Sequence, residues 1–295
     1  MEKDKKLMFS TLILTKNEEA NLPACLASMA WCDDVVVLDS FSSDRTCEVA
    51  REGGASLHQR AFDDFGSQRN FALDEIHFKH PWVFHLDADE RFNEELKVEC
   101  ERAIERDEHS AYFVPNRIMF LGKWIKHSTQ YPYPQVRFLK VGEVRFAKAG
   151  HGQREDQVKR GVGHIHVAYD HFNFSKGIAD WVDKHNRYSS EEANDLSALS
   201  SGAIDWQGLR SGDPMRRKRA LKQLHSRLPG RWLVKFLYLY IVRRGFLDGY
   251  PGFVYCVLQG FYDFLIVAKV KEKRQNAPPA RPSAGSSAGI SMRSG

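Results

Sequence analysis

Several patterns that mark common protein classes are missing from this sequence of 295 residues. The five cysteines form no C-x-x-C pair, which predicts free thiols in a reducing cytosol rather than a disulfide framework. Neither G-x-G-x-x-G nor G-x-x-x-x-G-K-S/T is present, which excludes the dinucleotide fingerprint and the P-loop. The charged residues 1–6 contain no apolar secretory core, and no internal repeat is evident.

Uninterrupted apolar runs of membrane-spanning length are also missing. Trp232–Val242 is shorter than the ~20 residues of a transmembrane helix, and Lys235 interrupts it. Phe253–Val270 is closer in length but contains three charged or amide residues. The composition, with 42% hydrophobic and 27% charged residues, is typical of a soluble globular protein. The length suits one long domain or two smaller ones.

An acidic cluster follows a short apolar run that begins at Trp82. The run predicts a buried strand, and Asp87, Asp89 and Glu90 place three carboxylates within four positions at its end. Such a cluster would repel itself in a packed core, so we expect an open strand end neutralised by Mg²⁺ or Mn²⁺. A solvated acidic turn before a helix over Asn93–Arg106 is the structural alternative.

Strand and helix patterns alternate in the N-terminal half of the chain. Strands are predicted over Leu7–Leu14, Asp34–Asp39 and Ser56–Gln59, and each is followed by a helical pattern; a later strand is predicted over Ala111–Phe120. Thr15 and Glu18 have the spacing of a capping box at a helix start, and Asn17 is an alternative N-cap. This alternation predicts a mostly parallel sheet flanked by helices, whose carboxyl edge binds a ligand.

The polar residues at these strand ends carry a family resemblance. The segments Thr15–Glu19, Val36–Ser40, Gln68–Ala72 and Leu86–Glu90, in this order, resemble family 2 glycosyltransferases, and in particular the branch related to bacterial lipopolysaccharide core glucosyltransferases. Three later segments extend the resemblance over roughly Leu12–Lys269, namely Phe120–Ile125, Lys184–Ser189 and Arg244–Gly249.

The resemblance implies a GT-A fold and a set of donor-binding residues. Thr15, Asn17 and Glu18 would line the base and ribose of a nucleotide sugar, and Asp39 would accept a hydrogen bond from the base. Asp87 would lie near the ribose and diphosphate, and Asp89 would ligate the metal. The guanidinium fork of Arg69 suits a diphosphate, although a solvated charge on a helix face is the alternative.

The resemblance also implies an acceptor-side glutamate acting as the general base. Glu155 has the spacing of that residue and lies in a predicted loop that contains glycines, while Asp156 and Asp170 are alternatives. His164 and His166 alternate on a predicted strand, and Asp170 and His171 follow, so a zinc site built from these residues is an alternative to solvent-facing histidines. The run Gln130–Tyr133 replaces a Trp-Tyr-Pro-Asp run of the family, and it leaves the transferred sugar open.

The chain after about residue 200 is both basic and apolar. Arg216–Arg219 and the basic residues after them precede the apolar run at Trp232, which predicts helices that dock on an anionic membrane or pack on the catalytic core. The predicted organisation is a nucleotide-sugar-binding half over 1–118, an acceptor-side half over 119–200, a basic amphipathic helical extension over 201–274 and a disordered tail over 275–295.

We therefore expect an inverting, metal-dependent glycosyltransferase that moves a hexose, UDP-linked, onto a saccharide of the lipopolysaccharide core or a lipid-linked glycan. It would act in the cytoplasm, at the inner face of the cytoplasmic membrane. A nucleotidyltransferase and a non-catalytic nucleotide-sugar-binding protein remain alternatives. The basic cluster raises nucleic-acid binding as a further alternative, but no recognised module surrounds it, so no nucleic-acid partner is expected.

Overall fold

The computed structural model describes residues 8–149, 152–199, 205–213, 215–217, 220–221, 224 and 230–276. The strands in these residues are β1 Ser10–Thr15, β2 Val35–Asp39, β3 Ser56–Gln59, β4 Trp82–Asp87, β5 Glu90–Arg91, β6 Ala111–Val114, β7 Asn116–Phe120, β8 Lys123–Trp124, β9 Gln135–Lys140, β10 Val144–Ala149, β11 Gly152–Val158, β12 Val162–His164 and β13 Tyr169–His171. The α-helices are α1 Leu22–Ser28, α2 Thr46–Glu52, α3 Phe65–Glu75, α4 Glu94–Arg106, α5 Gly177–Leu199, α6 Arg231–Leu237 and α7 Gly249–Asn276.

A seven-stranded sheet with the order β12-β6-β9-β4-β1-β2-β3 forms the centre of the molecule. β1, β2, β3 and β4 run parallel, as do β6 and β12, while β9 enters antiparallel between β4 and β6. The predicted α/β class is confirmed, with a mostly parallel sheet, flanking helices and a C-terminal helical extension. The carboxyl ends of β1, β2 and β4 meet at one edge, because parallel neighbours end together.

Both faces of the sheet are buried, which explains the almost continuous apolar runs of its central strands. Successive side chains of β4 point to opposite faces, so Trp82 and Phe84 join one core cluster and Val83 the other. Phe138 of β9 stacks on Trp82 with ring centroids 4.9 Å apart. The helices are therefore fixed on both sides of a rigid sheet, whose carboxyl edge remains available for a site.

Side-chain hydrogen bonds and backbone conformation determine where α4 and α1 begin, and one predicted helix start is wrong. The Asn93 side chain accepts a hydrogen bond from the Leu96 backbone N–H at 3.0 Å, so α4 begins where the sequence predicts. The predicted capping box at Thr15 is wrong: α1 begins only at Leu22, because Asn17 adopts a left-handed backbone with φ 56°. The Thr15 hydroxyl instead donates to Asp39 on the neighbouring strand.

The segment Ala111–Phe120, predicted as one strand, forms two strands in different sheets. Pro115 separates β6 from β7, because it has no N–H to donate to a ladder. β7 then pairs in a four-stranded sheet of order β5-β13-β7-β8. The predicted domain boundary at 118/119 falls inside β7, and β9 and β12 return to the central sheet; the division into two halves stays a prediction.

The C-terminal extension consists of α6, a π-helical turn over Tyr238–Val242, a 3₁₀ turn over Gly245–Asp248, and α7. α7 packs along α5 and α6, and the buried Arg231 of α6 donates to Asp263 of α7 at 3.2 Å. Among the described residues, the helical segment Gly245–Lys273 alone is long and apolar enough to cross a membrane, by length and composition. The predicted tail lies outside the described residues from 277 onward.

Candidate active site

Asp39 anchors the polar edge formed by the ends of β1 and β2. Its buried carboxylate accepts hydrogen bonds from the Thr15 hydroxyl at 2.9 Å, the Ser42 backbone N–H at 2.8 Å and the Gln59 side chain at 3.2 Å. Burial opposes ionisation, but hydrogen bonds from Ser42, Gln59 and Thr15 lower the pKa of Asp39 below its ordinary value. Asp39 is therefore an ionised hydrogen-bond acceptor at the end of β2.

The loop after β1 is fixed by Asn17 and Glu18. The exposed Asn17 side chain accepts from the Ser43 backbone N–H at 2.8 Å, which joins this loop to the one after β2. Lys176 donates to the Glu18 carboxylate at 2.7 Å and to the Asn17 carbonyl at 2.6 Å. Both predicted nucleotide-binding residues thus lie beside Asp39 at the sheet edge, and their side chains also hold the loop in place.

The acidic cluster after β4 is neutralised largely by two arginines. Asp87 accepts from Arg69 at 3.2 Å and from Arg137 of β9 at 2.9 Å. Glu90 is fully buried and accepts from Arg137 at 2.7 Å and from the Asp87 backbone N–H at 2.8 Å. The expected open strand end is therefore wrong for Glu90, and so is the alternative of a solvated turn, because a guanidinium compensates the burial of this carboxylate.

Arg69 is a buried member of this network rather than a solvated charge. Its side chain is 3% exposed, so the alternative of a helix-face charge is wrong. Its Nε donates to the Gln153 side chain at 2.9 Å, and its buried Nη1 has no hydrogen-bond partner among the described residues. An unpaired buried donor is costly, and a bound anion would satisfy it.

The acids of the cluster differ in their protonation chemistry. Burial opposes the charge of Asp87, but Arg137 and Arg69 hold its pKa well below the ordinary value. Burial raises the pKa of Glu90, and Arg137 only partly opposes this effect. Asp87 is therefore the firmly ionised carboxylate at the strand end, while Glu90 takes up a proton more easily.

Asp89 and His171 form a separate pair at the same edge. His171 Nε2 lies 3.3 Å from Asp89 Oδ2, and the two side chains are 21% and 23% exposed. Burial opposes the charge of Asp89, but the charge and the hydrogen bond of His171 together lower the pKa of Asp89 below its ordinary value. The antiparallel pairing of β13 with β5, in which His171 lies opposite Glu90, brings the imidazole here.

A carboxylate and an imidazole are both metal ligands. No group of three or more His, Cys, Asp or Glu side chains suited to a metal occurs in the described part of the chain. The Asp89–His171 pair therefore fits an ion whose other ligands come from a substrate. The predicted zinc alternative finds no support in these residues, since His164 and His166 are both exposed.

Glu155 lies on strand β11 rather than in the predicted loop. It pairs opposite Phe146 of β10 and shares one face of the strand with Gln153, whose side chain contacts Arg69. Glu155 is half-buried, and its side chain makes no hydrogen bond or ion pair within the described residues. Asp156 is exposed and is the extra residue of a β-bulge in β11, and Asp170 accepts from Arg117 at 2.6 Å.

A cleft of about 280 Å³ opens from His171 toward the C-terminal helices. One wall is the segment Ser128–Tyr133, and the opposite wall includes Lys235, Leu239 and Gln259 of the extension. Amide, hydroxyl and aromatic groups dominate the lining, as suits a saccharide with its hydroxyls and apolar ring faces. The cleft thus includes His171 of the Asp89–His171 pair at one end and residues of the helical extension at the other.

The sequence of this chain matches a known protein family over more than half of its length. The profile of the family described as glycosyl transferase family 2 matches residues 10–168, more than half of the chain. The chain belongs to glycosyl transferase family 2. The match includes Thr15 and Asp39, and it extends over Asp87 and Asp89, while His171 lies just beyond it.

Individual relatives of this family 2 glycosyltransferase extend over most of its length. An uncharacterised glycosyltransferase of Rickettsia typhi is 29% identical over 89% of this chain and 86% of its own. The lipopolysaccharide core biosynthesis glycosyltransferase LpsC of Rhizobium meliloti is 26% identical over 94% of this chain and 96% of its own. The crystal structure of S. aureus TarS 1–349 covers 92% of both chains at 14% identity, with a TM-score of 0.41.

In this family 2 glycosyltransferase, the extension holds the cleft wall through Asp248. The buried Asp248 carboxylate accepts from the His127 backbone N–H at 2.9 Å and from the Ser128 backbone N–H and hydroxyl, both at 2.6 Å. Arg243 donates to the carbonyls of Thr129 and Tyr131, each at 3.1 Å. The extension therefore fixes the segment that forms one side of the cleft.

Asp248→Ala is expected to damage the cleft while sparing the polar edge. Two N–H groups would lose their acceptor, at about 1–3 kcal/mol each, so the thermal midpoint should fall by several degrees. For a glycosyltransferase whose acceptor binds in this cleft, the KM for acceptor should rise, while nucleotide affinity stays within about twofold of wild type. Glu272→Ala, an exposed change on α7, is the control, and equal acceptor KM values in the two variants would contradict the positioning role.

Four residues of the site were not predicted from the sequence in the role that the structure gives them. Arg137 and Gln153 reach the edge from β9 and β11, and no local pattern marks them. His171 stood out only as a zinc alternative, although it contacts Asp89. Asp248 lies within the family-like segment Arg244–Gly249, which was the available signal for it.

Proposed function

We propose that this protein transfers a hexose from a UDP-sugar, with inversion, to a saccharide acceptor of the lipopolysaccharide core or a lipid-linked glycan. The observation that carries the proposal is the Asp89–His171 pair, which lies at the polar edge and opens onto the saccharide-like cleft. Membership of family 2 and the similarity to a lipopolysaccharide core glycosyltransferase support the same reaction and acceptor class.

In this proposal the donor lies along the carboxyl ends of β1, β2 and β4. Asp39, with Thr15, Asn17 and Glu18 around it, accepts from the uracil and contacts the ribose. Arg69 offers its unpaired Nη1 toward the diphosphate, and Asp87 holds that guanidinium in position. The two arginines on Asp87 also favour an approaching anion at this edge.

Asp89 and His171 would hold a divalent cation, Mg²⁺ or Mn²⁺. A bound cation stabilises the negative charge that develops on the leaving diphosphate. The mixed carboxylate and imidazole donors favour Mn²⁺, because Mg²⁺ strongly prefers oxygen ligands. Asp89 and His171 would be the residues that hold the ion, and the ion would supply compensation for the charge of the donor diphosphate.

The acceptor lies in the cleft, with its reacting hydroxyl at the His171 end. The hydroxyl oxygen forms the new bond to the anomeric carbon, and the bond from that carbon to the diphosphate oxygen breaks. The hydroxyl proton passes to Glu155, which is half-buried and has no internal partner among the described residues. A single in-line displacement inverts the anomeric configuration, because attack and departure occur on opposite faces.

A panel of nucleotide sugars with Mn²⁺ or Mg²⁺ tests this proposal. The true donor should raise the thermal midpoint, since a ligand that binds only the folded state stabilises it by mass action. Slow hydrolysis of the same donor would separate an enzyme from a non-catalytic binding protein. Stabilisation by UDP-sugars without any turnover, with or without saccharide acceptors, would contradict catalysis.

We also propose that the extension docks on the membrane that carries the acceptor. The apolar side chains of its exposed face are Trp232, Leu233, Val234, Leu237, Tyr238, Ile241, Val242, Phe246, Leu247, Tyr250, Phe253, Val257, Phe261 and Phe264. Arg244 and Lys271 are exposed basic residues of the same extension, which suits an anionic bilayer. Of the predicted basic cluster, Arg216 pairs with Asp205 at 2.9 Å, while Lys218 and Arg219 lie outside the described residues.

Ile241→Asp combined with Val242→Asp is expected to abolish recovery with anionic vesicles in flotation. These side chains are 57% and 68% exposed, so the change should reduce apolar contact with lipid without disturbing the core. At low salt, recovery of the wild-type protein should be higher with anionic than with neutral vesicles. High salt should reduce that difference in recovery. Phe62→Asp, an exposed site outside the extension, is the control; equal recovery of both variants would contradict docking through this face.

A further inference from the structure

The cleft contains a positive charge that a neutral sugar would not require. Lys235 lines it together with amide groups such as those of Asn116, Gln130 and Gln259, and none of the described lining residues carries a carboxylate. Amides and hydroxyls are sufficient for hydrogen bonds to sugar hydroxyls. The Lys235 ammonium therefore gives the cleft a preference for a ligand that carries a negative charge.

Lys235 differs from Arg231 and Arg243 of the extension in that its charged group lacks a partner. Arg231, one turn earlier on α6, is paired with Asp263 at 3.2 Å, and Arg243 donates to two backbone carbonyls. Lys235 is half-buried, and its ammonium forms no ion pair or hydrogen bond with the described residues. A partly desolvated charge without a counter-charge is unfavourable, and an anionic ligand would compensate it.

The fold directs this ammonium into the cleft. Lys235 and Leu239 lie four residues apart, on one face of the helical segment that continues from α6 into the π-helical turn, and both line the cleft. His171 lies in the same lining and contacts Asp89. A saccharide in the cleft can thus present one group to Lys235 and another to the reacting edge.

We propose that the saccharide bound in this cleft carries an acidic group, a carboxylate or a phosphate ester, that pairs with the ammonium of Lys235. The inference rests on the proposed function, in which the cleft takes the acceptor, and it names the chemical class of that acceptor. Lys235 is a specificity-determining residue in this assignment. It binds the acidic group away from the reacting hydroxyl, and it takes no part in the bond-making step.

Binding of three soluble, lipid-free sugars tests the assignment. Glucose, glucuronate and glucose 6-phosphate would be titrated into the full-length protein with UDP and Mn²⁺, and saturation-transfer NMR would report their Kd values. The wild type should bind the two acidic sugars about tenfold more tightly than glucose, as expected for a charge-assisted hydrogen bond. Lys235→Gln should remove the difference, Lys235→Arg should retain it, and Lys271→Gln, an exposed lysine of α7, should leave it intact.

The outcomes separate this assignment from the proposed reaction. Equal affinity for glucose and glucuronate in wild type, an acidic preference that survives Lys235→Gln, or no binding of any of the three sugars would overturn the assignment. UDP that fails to stabilise wild type would instead count against the proposed function. Because the probes carry no lipid, a preference for acid cannot arise from attraction to a membrane surface.

Discussion

Asp89→Asn is expected to lower sugar transfer by at least about 10²-fold, because in the proposed mechanism it removes the charged ligand of the metal that would stabilise the leaving diphosphate. The substitution keeps the shape of the side chain, which is 23% exposed and packs beside His171. Stabilisation of the protein by UDP should lose its dependence on Mn²⁺. Thermal unfolding with and without Mn²⁺, together with initial transfer rates, measures both effects.

The fold supplies a matched control for this experiment. Asp33 forms the same kind of pair with His80, at 2.7 Å, away from the polar edge. Asp33→Asn should leave transfer and its metal dependence unchanged. If Asp89→Asn turned over donor at the wild-type rate with the same metal dependence, the metal would have to be held elsewhere.

Glu155→Gln is expected to lower transfer by at least about 10²-fold while donor affinity stays nearly unchanged. The amide cannot take the proton of the acceptor hydroxyl, but it preserves the size of a side chain that has no internal partner in the described chain. Since the loss occurs only in the chemical step, kcat should fall far more than the KM for donor rises. Single-turnover kinetics with saturating donor would report it directly.

Asp156→Asn and Asp170→Asn complete this test. Asp156 is exposed at the β-bulge of β11, and Asp170 is already engaged by Arg117 at 2.6 Å, so neither substitution should cost as much as Glu155→Gln. Normal transfer by Glu155→Gln, alongside an inactive variant of either aspartate, would move the role of base to that aspartate.

The polar strand ends could be predicted from sequence, because each lies next to a strong local signal. The apolar strand before Asp87 and the strand before Asp39 fixed which residues end at the carboxyl edge, and parallel pairing brought them together. The alternation of strands and helices predicted the class of fold for the same reason. Thr15 shows that a local signal can also mislead. Its capping-box spacing predicted a helix start at this residue, but α1 begins only at Leu22.

The compensating charges could not be predicted, because they come from distant segments. Arg137 reaches Asp87 only because β9 enters the sheet antiparallel to β4, an order that no local pattern encodes. The burial of Glu90 follows from that contact, so the sequence alone made the cluster look more exposed than it is. His171 likewise depends on the register of β13 against β5.

The antiparallel entry of β9 has a consequence for how the protein folds. β4 is complete at Asp87, but its neighbour on one side is supplied by Gln135–Lys140, after β5, α4 and β6 to β8. Until that strand docks, Glu90 has no guanidinium against it, and the chain must close a long loop first. Such non-local pairing is slow, so we infer that the acidic edge acquires its native charge balance late, after the parallel strands have assembled.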